Sequence, residues 1–134
     1  KIAAIAPVAG VIGIPLEECL PGRAVPVMHF HGTGDTVVPY YGGGLSGFVS
    51  VADSIARWRA IDECDQSETV TFEKGDSKCV TSACALGSEV TLCTVTLGGH
   101  TWPGGTPVPA LGITSIDLDA TNHMLDFFEA HPLP

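Results

Sequence analysis

Two apolar segments of the chain each run directly into a glycine-rich turn that holds one reactive side chain. Residues 25–30 are followed by a turn that ends at Asp35, and residues 90–97 by a turn that ends at His100. Unbroken apolar segments of this length are typical of strands buried on both faces, as in a parallel sheet. Ligands of such sheets bind at the carboxyl ends of the strands, so the pattern predicts that Asp35 and His100 border one site.

The identity and order of these two residues indicate acid–base chemistry. Histidine is the side chain best suited to base catalysis near neutral pH, and an acid followed by a histidine is the order found in the triad of an α/β-hydrolase. Taken alone, Asp35 could simply close an Asx turn and His100 could bond a loop carbonyl. Together, each at the end of a strand, they favour a catalytic acid and base.

The nucleophile that such a pair would serve is absent from the sequence. In an α/β-hydrolase it is a serine on a Gly-x-Ser-x-Gly turn ahead of the acid. No such pattern occurs in the 134 residues, and the nearest one, at 44–48, ends in Phe48 instead of glycine. The sequence therefore predicts the acid and base half of a serine esterase.

Length and composition exclude several other classes of protein. A chain of 134 residues forms at most one domain, and its 45% hydrophobic content is enough for a core. The net charge of −9, with only six Lys and Arg residues, disfavours binding to nucleic acid. The sequence lacks an apolar stretch of about 20 residues, so we expect no membrane span.

Five cysteines in so short a chain indicate an oxidising compartment, and we therefore expect a secreted or periplasmic protein. Cys64, Cys79 and Cys84 flank a polar stretch in which a disulfide could close a loop. Cys93 lies within a strand pattern and is interpreted as a small buried hydrophobic residue. An odd count leaves at least one thiol free or paired with a segment outside this chain.

The hydrophobic patterning predicts an α/β fold with a mostly parallel sheet and flanking helices. Strands are expected at 2–8, 25–30, 69–73 and 89–97, and helices at 50–61 and from Thr114 or Ser115 to just before Pro132. Ser50 begins the first helix as its capping residue. The buried face of the last helix is predicted to consist of Leu118, Leu125 and Phe128.

Two further histidines lie in the first apolar strand. His29 and His31 alternate and therefore face the same side, which raises the possibility of a metal site with Asp35 or His100. The alternative, which we favour, is that one packs in the core and the other supports the Asp35 turn. No second cluster of ligands supports a metal, so none is expected.

Aromatic residues follow each of the two turns and are candidate substrate contacts. Trp102 stands on a Gly/Pro-rich loop directly after His100, where its flat ring could stack on a substrate. Tyr40 and Tyr41 lie in the corresponding loop after Asp35, and either is a weaker candidate for lining a pocket, with Tyr40 preferred.

These segments resemble the carboxyl-terminal half of a family of secreted hydrolases, the polyhydroxybutyrate depolymerase-like and feruloyl or acetylxylan esterase-like α/β-hydrolases. The resemblance covers essentially the whole chain and is borne by KIAAIAPVAG, HFHGTGDTVVPYYGG, SVADSIARWRAIDEC, CTVTLGGHTWPGG and TSIDLDATNHMLDFFEAHP. It implies that Asp35 is the triad acid and His100 the base, with Trp102 near the substrate. It also implies a disulfide from Cys64 to the loop that holds Cys79 and Cys84. No cofactor is implied.

In this family the nucleophile and the oxyanion-hole loop precede the position of Lys1. We therefore expect residues 1–134 to be one partial domain, inactive alone, whose complete form hydrolyses esters linked to plant polysaccharide or polyester. Residues 2–10 would form an apolar edge that binds the missing amino-terminal half or another copy of the chain. The alternative is a non-catalytic, truncated fold that serves as a binding or assembly module.

Overall fold

A computed structural model describes residues 1–133, which form one mixed four-stranded sheet with a helix on each face. The strands and helices are β1 (Val27–Gly32), α1 (Val51–Ile61), β2 (Thr69–Lys74), β3 (Ser77–Ala83), β4 (Glu89–Val95) and α2 (Ala120–Ala130). None of the helices in this part of the chain has both the length and the apolar character needed to cross a membrane.

The sheet is not mostly parallel, so the predicted α/β-hydrolase sheet is wrong for this chain. The strand order is β1-β4-β3-β2, and only the β1–β4 pair is parallel. The reason lies in the connections. Two residues, Gly75 and Asp76, join β2 to β3, and residues 84–88 join β3 to β4, whereas a parallel crossover needs a dozen residues or more. The expected polar loop between Cys64 and Cys84 thus contains a strand, β3.

The amino-terminal segment lies beside β1 on the side away from β4. It makes isolated parallel bridges, at Ile5 and at Val8, and not the continuous strand expected at 2–8. Ile5 both donates to Pro26 and accepts from Met28, at 3.0 Å each. The backbone polar groups of Ile5, Pro7 and Ala9 hydrogen-bond to β1 and to Pro26 just before it. Because these groups point in opposite directions at successive residues of an extended chain, those of the intervening residues point away from β1. Residues 5–9 are called the open edge below.

The two faces of the sheet hold separate hydrophobic clusters. On one face α1 packs over Val27 and Val90, and α1 begins as predicted, with the Ser50 hydroxyl accepting from the N–H of Asp53. The other face buries a larger cluster beneath the segment that leads into α2. The members of this second cluster are Phe30, Cys79, Cys93, Val95, Leu118 and Ala120.

Helix α2 begins later than the sequence predicted. Its capping residue is Asp119, whose side chain accepts from the N–H of Asn122, while the Ser115 hydroxyl is engaged with Asp76 and Ser77 instead. Leu118 is buried, but it precedes the helix. Leu125 and Phe128 are largely exposed and Phe127 is the buried residue, so the predicted buried face of this helix was wrong.

Two disulfides cross-link the hairpin side of the sheet. Cys64 is bonded to Cys84, one of the two partners expected for it. Cys79 is bonded to Cys93, its direct neighbour across the β3–β4 pair. Cys93 is therefore buried as predicted but is not a lone thiol. Within residues 1–133, Cys19 is the remaining cysteine and is buried as a free thiol.

Candidate active site

The turns that follow β1 and β4 are pressed together at the carboxyl end of this parallel pair. The N–H of Gly34 donates to the carbonyl of Gly98 at 2.9 Å, and the N–H of Leu97 donates to the hydroxyl of Thr33 at 2.8 Å. Gly32 permits this approach, since a β-carbon on it would lie 2.1 Å from the carbonyl oxygen of Gly98. A side chain at position 32 would separate the two turns.

This contact brings Asp35 and His100 together. His100 Nδ1 lies 2.9 Å from Asp35 Oδ2, and the backbone N–H of His100 donates to the carbonyl of Leu111 at 2.8 Å. The other carboxylate oxygen, Oδ1, accepts from the N–H groups of Val37 and Val38 at 2.8 Å each. Asp35 thus closes an Asx turn and orients His100 at the same time, two roles that sequence reasoning had treated as alternatives.

The geometry determines which nitrogen of His100 can act as a base. A carboxylate accepts hydrogen bonds, so Nδ1 carries the proton that points to Asp35. In the neutral ring Nε2 is then unprotonated, and residues 1–133 offer it no hydrogen-bond partner. The Asp35 side chain is fully buried, whereas the His100 side chain is 28% exposed. A buried acid behind an accessible histidine is the arrangement in which the acid orients and the histidine transfers protons.

Behind Asp35 lie His29 and His31, on the face of β1 that also carries Val27. His31 Nε2 lies 2.8 Å from the carbonyl oxygen of Val38 and 3.4 Å from Asp35 Oδ2. His31 therefore supports the Asp35 turn, and His29, bonded to it, is buried. Burial lowers the pKa of His29 to about 3, with a smaller contribution from His31. Burial is also the largest cause that lowers the pKa of His31.

The two candidate substrate contacts have different surroundings. Trp102 is 44% exposed, and its indole N–H donates to the hydroxyl of Thr121 at 3.0 Å, which fixes the ring beside the His100 turn. Tyr40 is half-buried, with its ring edge-on to His31 and its hydroxyl 3.0 Å from the hydroxyl of Thr94. Tyr40 thus contacts the residues that support Asp35.

A cavity of about 660 Å³ in this chain lies away from Asp35 and His100. It is lined by Leu20, Arg23, Arg57 and Leu86 among others, and by neither residue of the pair. In residues 1–133 no three His, Cys, Asp or Glu side chains are arranged to hold a metal ion. The accessible side of the pair is that of His100, because the Asp35 side chain is fully buried and the His100 side chain is partly exposed.

Sequence reasoning missed the groups that hold the acid in place. These are the backbone N–H groups of Val37 and Val38, and the glycine contact between positions 32 and 98. The sequence did carry a signal for the second of these. Glycines directly follow both apolar segments, which is expected where two backbones approach closely.

Comparison with known proteins shows a distant and partial relationship. No family model matches the chain. Over 91 residues, 62% of the chain, it is 32% identical to a protein named feruloyl esterase B from Piromyces equi. The chain spans 17% of the length of that protein. The match supports an esterase-type relationship for this chain at the level of the family.

Proposed function

We propose that this chain supplies the acid and the base of a serine-type carboxylic-ester hydrolase. The observation that carries the proposal is the 2.9 Å hydrogen bond from His100 Nδ1 to the buried carboxylate of Asp35, which leaves His100 Nε2 without a partner in residues 1–133. The similarity to a protein named as an esterase points to the same chemistry.

The mechanism we propose is acyl transfer in two steps. His100 Nε2 removes the proton from a serine hydroxyl as the oxygen attacks the ester carbonyl, and the imidazolium that forms is stabilised by Asp35. His100 then protonates the departing alkoxide, so the acyl group remains on the serine. Water, deprotonated by His100, attacks this acyl-enzyme, and the serine leaves with the proton.

The serine itself is proposed to belong to polypeptide outside these 134 residues, because the sequence contains no Gly-x-Ser-x-Gly turn. The open edge supports this proposal. Its outward backbone is free for one more parallel strand, and the side chains around it are only half-buried. We propose that an amino-terminal segment bearing the nucleophile pairs there, or that another copy of the chain does so in its absence.

The substrate is proposed to be an aromatic acyl ester such as a feruloyl ester. The name of the Piromyces relative suggests this class, and the exposed ring of Trp102 beside His100 suits stacking on a flat acyl group. Esters linked to plant polysaccharide are found outside cells. The two disulfides are expected of a secreted or periplasmic protein, which agrees with such a substrate.

A first experiment uses the reading frame of the gene. We expect a Gly-x-Ser-x-Gly sequence within a few dozen codons before Lys1. The polypeptide that includes it, assayed on methyl ferulate and p-nitrophenyl acetate, should hydrolyse both. His100→Ala and Asp35→Asn should each lower kcat by on the order of 10³–10⁴-fold, since triad residues act as a unit.

His123→Ala provides the matched control, because His123 lies on α2 with its ring against Phe72. It should retain wild-type kcat. A reading frame without the serine motif, or a full-length protein whose ester hydrolysis is unaffected by His100→Ala, would contradict the proposed function.

A further inference from the structure

Strand β1 carries a pair of buried histidines that the acid–base chemistry does not itself require. His29 and His31 are each 1% exposed, and His29 Nε2 lies 3.0 Å from His31 Nδ1. Together with Asp35 and His100 they form a continuous chain of contacts from the core of the sheet to the accessible Nε2 of His100. Buried polar side chains in such number need a reason, because each must be fully hydrogen-bonded to avoid a penalty.

The hydrogen-bond partners of His29 and His31 determine which ring nitrogen carries the hydrogen. The carbonyl of Val38 can only accept, so His31 must carry its hydrogen on Nε2. In a neutral ring Nδ1 of His31 is then an acceptor, and His29 must donate to it from Nε2. Both rings are thus held in the Nε2–H form, with every hydrogen bond pointing toward the Asp35 turn.

This row of contacts holds the Asp35 turn from two sides. The N–H of Val38 donates to Asp35 Oδ1, while the carbonyl of the same residue accepts from His31 Nε2. The same His31 nitrogen lies 3.4 Å from Asp35 Oδ2, the oxygen that orients His100. Loss of His31 would therefore remove the hydrogen bond to the carbonyl of Val38 and the contact with the oxygen to which His100 is bonded.

We propose that His29 and His31 are positioning residues that hold the Asp35 carboxylate in place for His100, an inference that rests on the proposed function of that pair. Their neutrality is part of the role. The titratable groups beside the pair are Asp35, Tyr40 and, farther along, His100, and a cationic His31 would offset the negative charge that Asp35 presents to His100. The facing residues of β4 are Leu92 and Thr94, which carry no charge.

Imidazole nitrogen NMR of the wild-type chain tests the assignment directly. In long-range ¹H–¹⁵N spectra at pH 7 both His29 and His31 should be neutral Nε2–H tautomers. The Nδ1–H form for His31, or a charged ring at that pH, would overturn the inference without any variant.

A matched pair of variants tests the positioning role. His31→Gln keeps an N–H near the Nε2 position, whereas His31→Leu fills the space without a donor. The Nδ1–H resonance of His100 should persist in wild type and in His31→Gln, and should exchange with solvent about 10-fold faster in His31→Leu or vanish. An unchanged His100 resonance in folded His31→Leu would contradict the role, and if that variant does not fold, the wild-type tautomers decide.

The same variants in the polypeptide that includes the serine give the kinetic readout. His31→Leu should lower kcat by about 10- to 100-fold with KM unchanged, because it displaces the base without touching the substrate, and His31→Gln should recover most of the loss. A His31→Leu enzyme that retains wild-type kcat would overturn the inference. Failure of the proposed function would appear differently, as a wild-type polypeptide with no esterase activity but with the tautomers described above.

Discussion

Strand β1 is bordered by two regions that differ sharply in how completely they are built. At its carboxyl end, the glycine contact between positions 32 and 98 and the hydrogen bonds around Asp35 form what we call the closed end. Along its outer side, the open edge has isolated bridges and an outward row of backbone groups. Asp35 and His100 are therefore held by contacts within this chain, whereas the open edge is held to the sheet on one side.

This difference separates two requirements of the proposed mechanism. Orientation of His100 by Asp35 requires placement to within about 0.5 Å, and contacts within this chain, including two backbone N–H groups, hold Asp35 in place. The proposed supply of a nucleophile would require a further segment to pair with the open edge, and such pairing is possible for any extended strand. The closed end should therefore tolerate little change, while the open edge should tolerate substitution but favour association.

The largest effect is expected from Gly32→Ala at the closed end. The new β-carbon would lie 2.1 Å from the carbonyl oxygen of Gly98, so the two turns must separate. We expect a loss of about 3 kcal/mol in the free energy of unfolding. Denaturant unfolding measures it, and Gly13→Ala is the control, because a β-carbon there has nothing within 4 Å. Equal stability of the two variants would show that the turns are not tightly apposed.

Each disulfide should contribute about 3 kcal/mol, according to the chain-entropy account of loops of this length. Cys79→Val with Cys93→Val unlinks β3 from β4, and β4 leads into the His100 turn. Cys64→Ala with Cys84→Ala removes the other link. Both double variants should unfold at lower denaturant, while Cys19→Ala should change stability less. Peptide mapping without reductant checks the premise, and a free thiol at Cys64 would contradict it.

An effect of comparable size is expected from acid, through His29, and the lowered pKa of His31 acts in the same direction. The folded pKa of about 3 lies below the ordinary value of 6.5, so unfolding takes up a proton between these limits. Stability is therefore complete above pH 6.5 and falls as the pH drops toward 3, by up to about 1.4 kcal/mol per pH unit. Burial raises the pKa of Asp62, which opposes this trend at the acidic end.

Unfolding free energies measured from pH 7 to pH 4 test the prediction, with His29→Gln as the comparison. The glutamine keeps an N–H donor but does not titrate, so its pH profile should be flatter than that of the wild type. Identical slopes for the two proteins would mean that folding does not shift the pKa of His29.

The smallest effect concerns the open edge. Ile2 is 64% exposed next to it, so Ile2→Lys should leave folding intact while adding a charge where a second chain would pair. Sedimentation at micromolar concentration should show self-association of the wild type that weakens in this variant. Ile116→Lys, at a still more exposed site in the loop before α2, serves as the control. A wild-type monomer would contradict self-association at this edge.

The sequence predicted local features well and sheet topology poorly. The strands at Val27–Gly32, Thr69–Lys74 and Glu89–Val95 and the helix capped by Ser50 follow from apolar runs and capping chemistry that act locally. Strand β3 was missed because two of its buried positions are serines, Ser77 and Ser82, so the sequence there lacks the alternation of apolar and polar residues that predicts a strand. The antiparallel pairing of β3 with β2 and β4 follows from the two short connections at 75–76 and 84–88. Their length, and not their composition, excludes parallel pairing.

The candidate site shows the same division. The pairing of Asp35 with His100 was predicted from their positions after two strands, and they lie within hydrogen-bond distance. The tautomers of His29 and His31, and the way that Val38 is held from both sides, depend on atomic distances that no spacing in the sequence encodes. At helix α2 a local signal was misleading. Ser115 is of a residue type that caps helices, but its hydroxyl donates to Asp76 and Asp119 caps the helix instead.

We propose above that His100, oriented by Asp35, activates a serine located before residue 1. A fluorophosphonate probe that labels activated serines tests this proposal most directly, applied to the polypeptide that extends ahead of Lys1. We expect one labelled serine, ahead of Lys1, with labelling lost in His100→Ala and retained in His123→Ala. Labelling of Ser46, abolished by Ser46→Ala, or labelling that survives His100→Ala, would contradict it.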